Sequence, residues 1–159
     1  MERDDDLESL VEAVGHVPLR LPSTTAAVMN AVRLREFRQS LADRGALTVD
    51  DLAHGLGMKR GTAQKWLERH VKAGRLFTVK VDGRVLVPAS LLDEAFDPIE
   101  AWVPVLDRLR EVEASGWGLW AWIDGPLSAL SGDIPSDVIG TDPERVIRAA
   151  DRRVAQARP

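Results

Sequence analysis

The feature that most constrains this chain is a pair of short helical patterns split by one glycine, followed by two apolar-alternating runs split by Asp-Gly. It lies in LTVDDLAHGLGMKRGTAQKWLERHVKAGRLFTVKVDGRVLVP, Leu47 to Pro88. Thr48 stands where an N-cap belongs, and Asp50 and Asp51 fall in the first turn, where the helix dipole favours carboxylates. Gly57 supplies the turn, and the next helix, RGTAQKWLERHVKAG, closes at Gly74. The runs Leu76–Val81 and Arg84–Val87 are joined by Asp82-Gly83. Both positions of a two-residue loop of this kind need positive φ, so a β-hairpin is expected.

The same stretch is a basic island in an acidic protein. Between Gly57 and Arg84 eight Lys and Arg oppose Glu68 and Asp82, a surplus of six positive charges. The net charge of the 159 residues is −4, so the remainder carries −10. That asymmetry is the electrostatic footprint of a nucleic-acid contact, and equally that of a solvated face. Laid on a helix-turn-helix, the segment finds a consistent register. Ala53 falls where two helices pack closely, and Gly57 where the turn needs a left-handed backbone. Leu52, Leu56, Met58, Ala63, Trp66 and Leu67 form a shared core. Arg60, Gly61, Gln64, Lys65, Glu68 and Arg69 then face outward, where this motif enters the major groove. Arg60 and Lys65 suit guanine or phosphate, and Gln64 suits adenine. Lys59 and Thr62 suit phosphate, and Gly61 lets the backbone come close. Lys80 and Arg84 flank the hairpin tip, within reach of a phosphate or the minor groove. Against this stands a small protein-interaction domain whose lysines are merely solvated.

Elsewhere the patterns are plainer. Leu7, Leu10, Val11 and Val14 predict a short helix ended by Gly15, and HVPLRLP a linker. Ser23 caps a long expected helix from Thr24 to about Asp43, with Gly45 as its stop. After Pro88, Asp97-Pro98-Ile99-Glu100 resembles a helix start, with Pro104 interrupting or restarting it. Ser115 precedes GWGLWAWI. Thr141-Asp142-Pro143-Glu144 suggests a capping box opening a last helix. A soft boundary near residues 90–98 gives an N-terminal helix and linker (1–22), a DNA-binding unit (23–96) and a helical unit (97–159). The expected fold class is mainly α with a small β-hairpin wing.

Several classes are disfavoured. With no cysteine there is neither a disulfide nor a thiolate site, and His16, His54 and His70 have no ligand spacing. P-loop, GxSxG, HExxH and GxGxxG are all missing, so neither an enzyme nor a cofactor is expected. The acidic start MERDDDLESL is unlike a signal peptide, and the longest apolar run, Gly116–Ile123, is short of a membrane span. A cytoplasmic protein is expected.

Leu47-Thr48, Ala53, Leu56-Gly57-Met58, Thr62, Trp66, Ala73-Gly74-Arg75-Leu76, Gly83-Arg84 and Pro88 together resemble the winged helix-turn-helix domains of excisionase and MerR-like regulators. The resemblance implies operator DNA as partner, bound by Lys59, Arg60, Gly61, Thr62, Gln64, Lys65, Arg69, Lys80 and Arg84. Lys59 replaces the family's usual capping Ser, weakening that cap by about 1 kcal/mol. Glu68 is a second departure, with Lys65 or Lys72 as an available partner. A two-fold dimer on a palindrome follows from this mode of reading, with the long helix as its best candidate interface.

The other half holds three of the five tryptophans, Trp117, Trp120 and Trp122, within six residues. At least two suit a core, and a third suits a partner surface, where Trp is enriched. Trp122, Pro126, Leu130, Gly132, Pro135, Asp137 and Val138-Ile139, followed by DPERVIRAADRR, resemble the toxin-binding domain of Xre/MbcA/ParS-type antitoxins over about residues 99–153. Leu127 stands in place of the family's Asn and Ser131 in place of its first Gly. The resemblance implies a RES-domain toxin as partner, an enzyme that degrades or modifies NAD. The antitoxin itself adds no catalysis: it covers the toxin's cleft and commonly represses its own operon. Trp122, Pro126, Leu130, Gly132, Pro135, Arg148 and Arg152 are the residues so implicated. Arg145, Arg148 and Arg152 form a basic stripe on the last helix, either solvated or facing an acidic cleft or DNA. The alternative to an antitoxin is a stand-alone dimeric transcriptional regulator.

Overall fold

The computed structural model describes residues 21–159, and the side chains of all of these except 21–24, 40 and 42. The expected helix around Leu7–Val14 lies outside the described residues. The chain divides into two compact units, Met1–Ser40 and Leu41–Pro159. The described part is mainly helical, with a small antiparallel sheet.

Helix α1 spans Leu21–Asp43 and runs through the division between the units. The chain is already helical at Leu21, so Ser23 lies within the described helix and not ahead of it. Met29 and Leu34 are exposed.

The second unit begins with a two-residue strand, β1 (Ala46–Leu47), which the hydrophobic pattern alone does not reveal. It pairs antiparallel with β3 (Arg84–Pro88), whose other edge pairs with β2 (Val79–Val81), giving the order β1-β3-β2. The hairpin turn is as expected: Asp82 and Gly83 have φ of 50° and 77°. Strand β2 is shorter than the apolar run that contains it. Leu76 and Phe77 leave the ladder and go into the core instead.

Between β1 and β2 lie α2 (Val49–Leu56) and α3 (Arg60–Lys72). Thr48 caps α2 with a full capping box. Its Oγ1 accepts from the Asp51 amide at 3.1 Å, and its own amide donates to Asp51 Oδ2 at 2.9 Å. Gly57 ends the helix in the left-handed region with φ 65°. Leu52, Ala53, Ala63, Trp66, Leu67, Leu76, Phe77, Val79 and Val87 are buried together, all of them apolar. Leu56 and Met58 are half-buried.

The expected boundary at residues 96–97 lies inside the second unit. Across it the Ile99 amide donates to the Leu91 carbonyl, Leu92 bridges Pro98, and Arg110 Nη1 donates to the Gly74 carbonyl. Because Asp97–Ile99 are used in this way, α4 starts later than expected, at Trp102, and ends at Leu109. Pro104 then falls in its first turn, where no amide is missed, so it neither interrupts nor restarts the helix.

Helix α5 (Gly116–Asp124) is capped by Ser115, whose Oγ accepts from the Gly118 amide at 3.1 Å. A Cβ on Gly116 would strike the Thr78 carbonyl, so only glycine lets α5 begin so close to the strand segment. Short α6 (Pro135–Val138) leads to α7 (Pro143–Ala157). The cap of α7 is Asp142, which accepts from the Arg145 amide at 3.2 Å. Proline at the first helical position makes Asp142 the N-cap. That puts Arg145, not Glu144, at the third position, so the expected capping box is not formed. Thr141 Oγ1 instead donates to the Val138 carbonyl.

Candidate nucleic-acid interface

The face of interest is made by the solvent side of α3 and the tip of the β2–β3 hairpin. Burying Ala63, Trp66 and Leu67 fixes the rotation of α3. Lys59, Arg60, Gly61, Thr62, Gln64, Lys65, Glu68 and Arg69 are thereby left exposed, and on the hairpin so are Lys80 and Arg84. All nine positions singled out for DNA are therefore at the surface of one unit.

A cleft of about 540 Å³ brings several of them together. It is lined by Thr48, Asp50, Arg60, Gln64, Gly83 and Arg84, among others, so the start of α2, the start of α3 and the hairpin tip share one concavity. Arg60 Nη1 donates to both carboxylate oxygens of Asp50, at 3.2 and 3.3 Å. Gln64 Nε2 donates to Glu68 Oε1 at 3.2 Å, so the partner of Glu68 is Gln64 rather than the expected Lys65 or Lys72. Lys59, Lys65, Arg69, Lys80 and Arg84 make no ion pair among the described residues.

Two further details bear on the face. A Cβ built on Gly61 meets nothing within 4 Å, so packing inside the chain does not call for glycine there. Lys59 gives α3 no side-chain cap, as its amine cannot accept a hydrogen bond. Behind the face, the His70 ring lies 4.4 Å from that of Trp66. Burial lowers the pKa of His70; Arg75 and Arg69 push the same way, against Asp97 and Glu100.

In the other half, Trp122, Leu130 and Pro135 are buried, Leu130 completely, while Trp122 keeps an edge at the surface. Trp117, half-buried and stacked on Trp120 at 5.3 Å, is the more accessible aromatic. Pro126, Gly132, Arg148 and Arg152 are exposed. Ser131 adopts φ 57°, a conformation in which glycine would carry no strain. Of the basic stripe, Arg145 is tied to Asp133 at 3.0 Å and to the Leu130 carbonyl at 2.8 Å, while Arg148 and Arg152 make no ion pair among the described residues. Arg152 also lines a depression of about 200 Å³ together with Trp122, Leu127 and Ala149.

One residue not singled out from the sequence organises this half. Asp124 is 3% exposed, the one buried charged residue among those described. Its Oδ1 accepts from Ser90 Oγ at 2.7 Å and Ser136 Oγ at 2.6 Å, and its Oδ2 from Trp120 Nε1 at 2.8 Å. Arg44 Nε stands 4.0 Å away. Trp102 Nε1 donates to the Ser90 carbonyl at 2.9 Å, extending the network. The available signal is a carboxylate closing the otherwise apolar run GWGLWAWI.

Among the described residues no group of His, Cys, Asp or Glu is placed to hold a metal, and no helix is long and apolar enough to cross a membrane. No family model, curated protein or solved structure matches this chain.

Proposed function

We propose that this protein is a DNA-binding antitoxin. In this reading residues 46–88 act as a winged helix-turn-helix on the operator of its own gene. The helical half binds and neutralises a RES-domain toxin by covering its cleft, without catalysis or cofactor. The carrying observation is the exposed face of α3, where Lys59, Arg60, Gly61, Thr62, Gln64, Lys65 and Arg69 adjoin the hairpin cations Lys80 and Arg84. It offers a helix for the major groove and a two-stranded tip for the flanking backbone. Cations without internal partners are available to phosphates at no cost in broken ion pairs. The toxin partner rests on the resemblance of Trp122–Ile139 and the helix that follows.

Selection from a pool of randomised duplexes tests the DNA part. A reader enriches a defined half-site, repeated with two-fold symmetry if it acts as a dimer; an unenriched pool contradicts it. Co-purification with a RES-domain protein encoded beside the gene tests the partner part. The burial of Trp122, Leu130 and Pro135 favours a second reading, a stand-alone dimeric regulator, for which enrichment occurs and no toxin is retained.

A further inference from the structure

The candidate contacts on the α3 face fall into two groups. Lys59, Lys65, Arg69, Lys80 and Arg84 have no ion pair among the described residues. Arg60 and Gln64, the two expected to meet guanine and adenine from the start of α3, are both held by carboxylates, Asp50 and Glu68. Among the described residues Asp50 makes no other hydrogen bond. The cap of α2 is completed by Thr48 and Asp51, and Asp50 Oδ1 and Oδ2 are spent on Arg60 alone. Both partners are mostly solvent-exposed, 69% for the Arg60 side chain and 68% for Asp50, so the pair is not a requirement of the fold.

Asp50 engages only Nη1 of the guanidinium. Nη2 and Nε have no partner among the described residues, and those two donors suffice for the O6 and N7 acceptors of guanine. Arg60 therefore does not have to release Asp50 in order to read a base. A phosphate is another matter. Its charge is repelled by the Asp50 carboxylate in the shared cleft, and it competes with that carboxylate for the same arginine.

We propose that Asp50 is the positioning residue for base reading. It aims Arg60 at a guanine edge and withholds it from the phosphate backbone. The proposal rests on the DNA-binding reading above. Non-specific affinity comes almost wholly from phosphates, so a carboxylate that opposes phosphate but tolerates guanine raises the ratio of specific to non-specific binding.

The test measures affinity for the best duplex from the selection and for a scrambled duplex of equal length, using the full chain and the variants Asp50→Asn, Arg60→Ala and the double variant. Asp50→Asn is expected to bind the scrambled duplex about fivefold more tightly, the scale of one exposed ion pair, and to lose about tenfold in specificity ratio as Arg60 loses its aim. In the Arg60→Ala background Asp50→Asn should leave that ratio unchanged. Thermal melting of each variant keeps misfolding from passing as an effect. If Asp50→Asn keeps the wild-type ratio while Arg60→Ala lowers it, Arg60 reads DNA and Asp50 does not position it, which overturns the proposal alone. If wild type shows no preference between the duplexes, the DNA-reading assignment falls and takes the proposal with it.

Discussion

Residues 46–88 and 102–159 of the second unit handle charge in opposite ways. In the first stretch every buried side chain is apolar, and most cations stand without internal partners. In the second a carboxylate is buried at the centre, and the arginines are largely occupied. Arg108 meets Asp151 at 2.6 Å, Arg153 meets Glu113 at 2.9 Å, Arg158 meets Glu111 at 3.3 Å and Arg145 meets Asp133 at 3.0 Å. Both stretches look basic along one helix. Only the first offers a broad set of cations to an outside ligand, since an arginine already paired must give up its partner first. Availability, more than count, distinguishes a contact face from a stitched surface.

The sharpest way to break this contrast is to damage each core and ask what fails. Trp66→Ala removes a buried aromatic from the apolar core between α2 and α3. It should cost about 3–5 kcal/mol of stability, read by denaturant unfolding, and DNA binding should be lost with the fold. Asp124→Ala orphans the donors of Ser90, Ser136 and Trp120, at a cost of about 3 kcal/mol. If its loss is instead neutral, the second stretch is held by apolar packing like the first, and the contrast fails.

Substitutions on the face should spare stability. Arg60→Ala and Gln64→Ala should each weaken binding by about 1–3 kcal/mol and relax sequence choice, whereas Lys80→Ala should weaken all sequences alike. If all three act equally on every duplex, α3 does not read bases. The smallest effect is the most discriminating. Gly61→Ala should stabilise the protein by about 0.5–1 kcal/mol through helix propensity, because the added methyl meets open space. Yet it should weaken DNA binding if the backbone approaches a duplex there. Equal or better binding would place Gly61 outside the contact.

What the sequence discloses follows the same division. In residues 47–88 the geometry is dictated locally, by the Thr48 cap, by Gly57 and by the Asp82-Gly83 turn, so elements and exposed face alike are legible. The exception is Ala46–Leu47, too short to show a period, whose pairing depends on β3 some forty residues away. In the second half the decisive partners are distant in the chain. Ser90, Arg44 and Ser136 converge on Asp124 by folding alone, and no spacing rule announces them. The start of α4 is displaced for the same reason: Asp97–Ile99 are taken by non-local pairing with Leu91–Asp93. Trp122, Leu130 and Pro135 stand out as motif residues because they build the core, and a motif alone does not tell a core residue from a contact.

The most direct test of the central claim is a fluorescence anisotropy titration of the full chain against the DNA upstream of its own gene. A scrambled duplex serves as control, at about 50 mM and about 200 mM salt. The account predicts tight binding that prefers the upstream duplex. It also predicts an affinity that falls roughly 500-fold between the two salts, as five cations release their share of counterions. Weak binding that ignores sequence and barely responds to salt would contradict it, and would leave the α3 face a solvated surface.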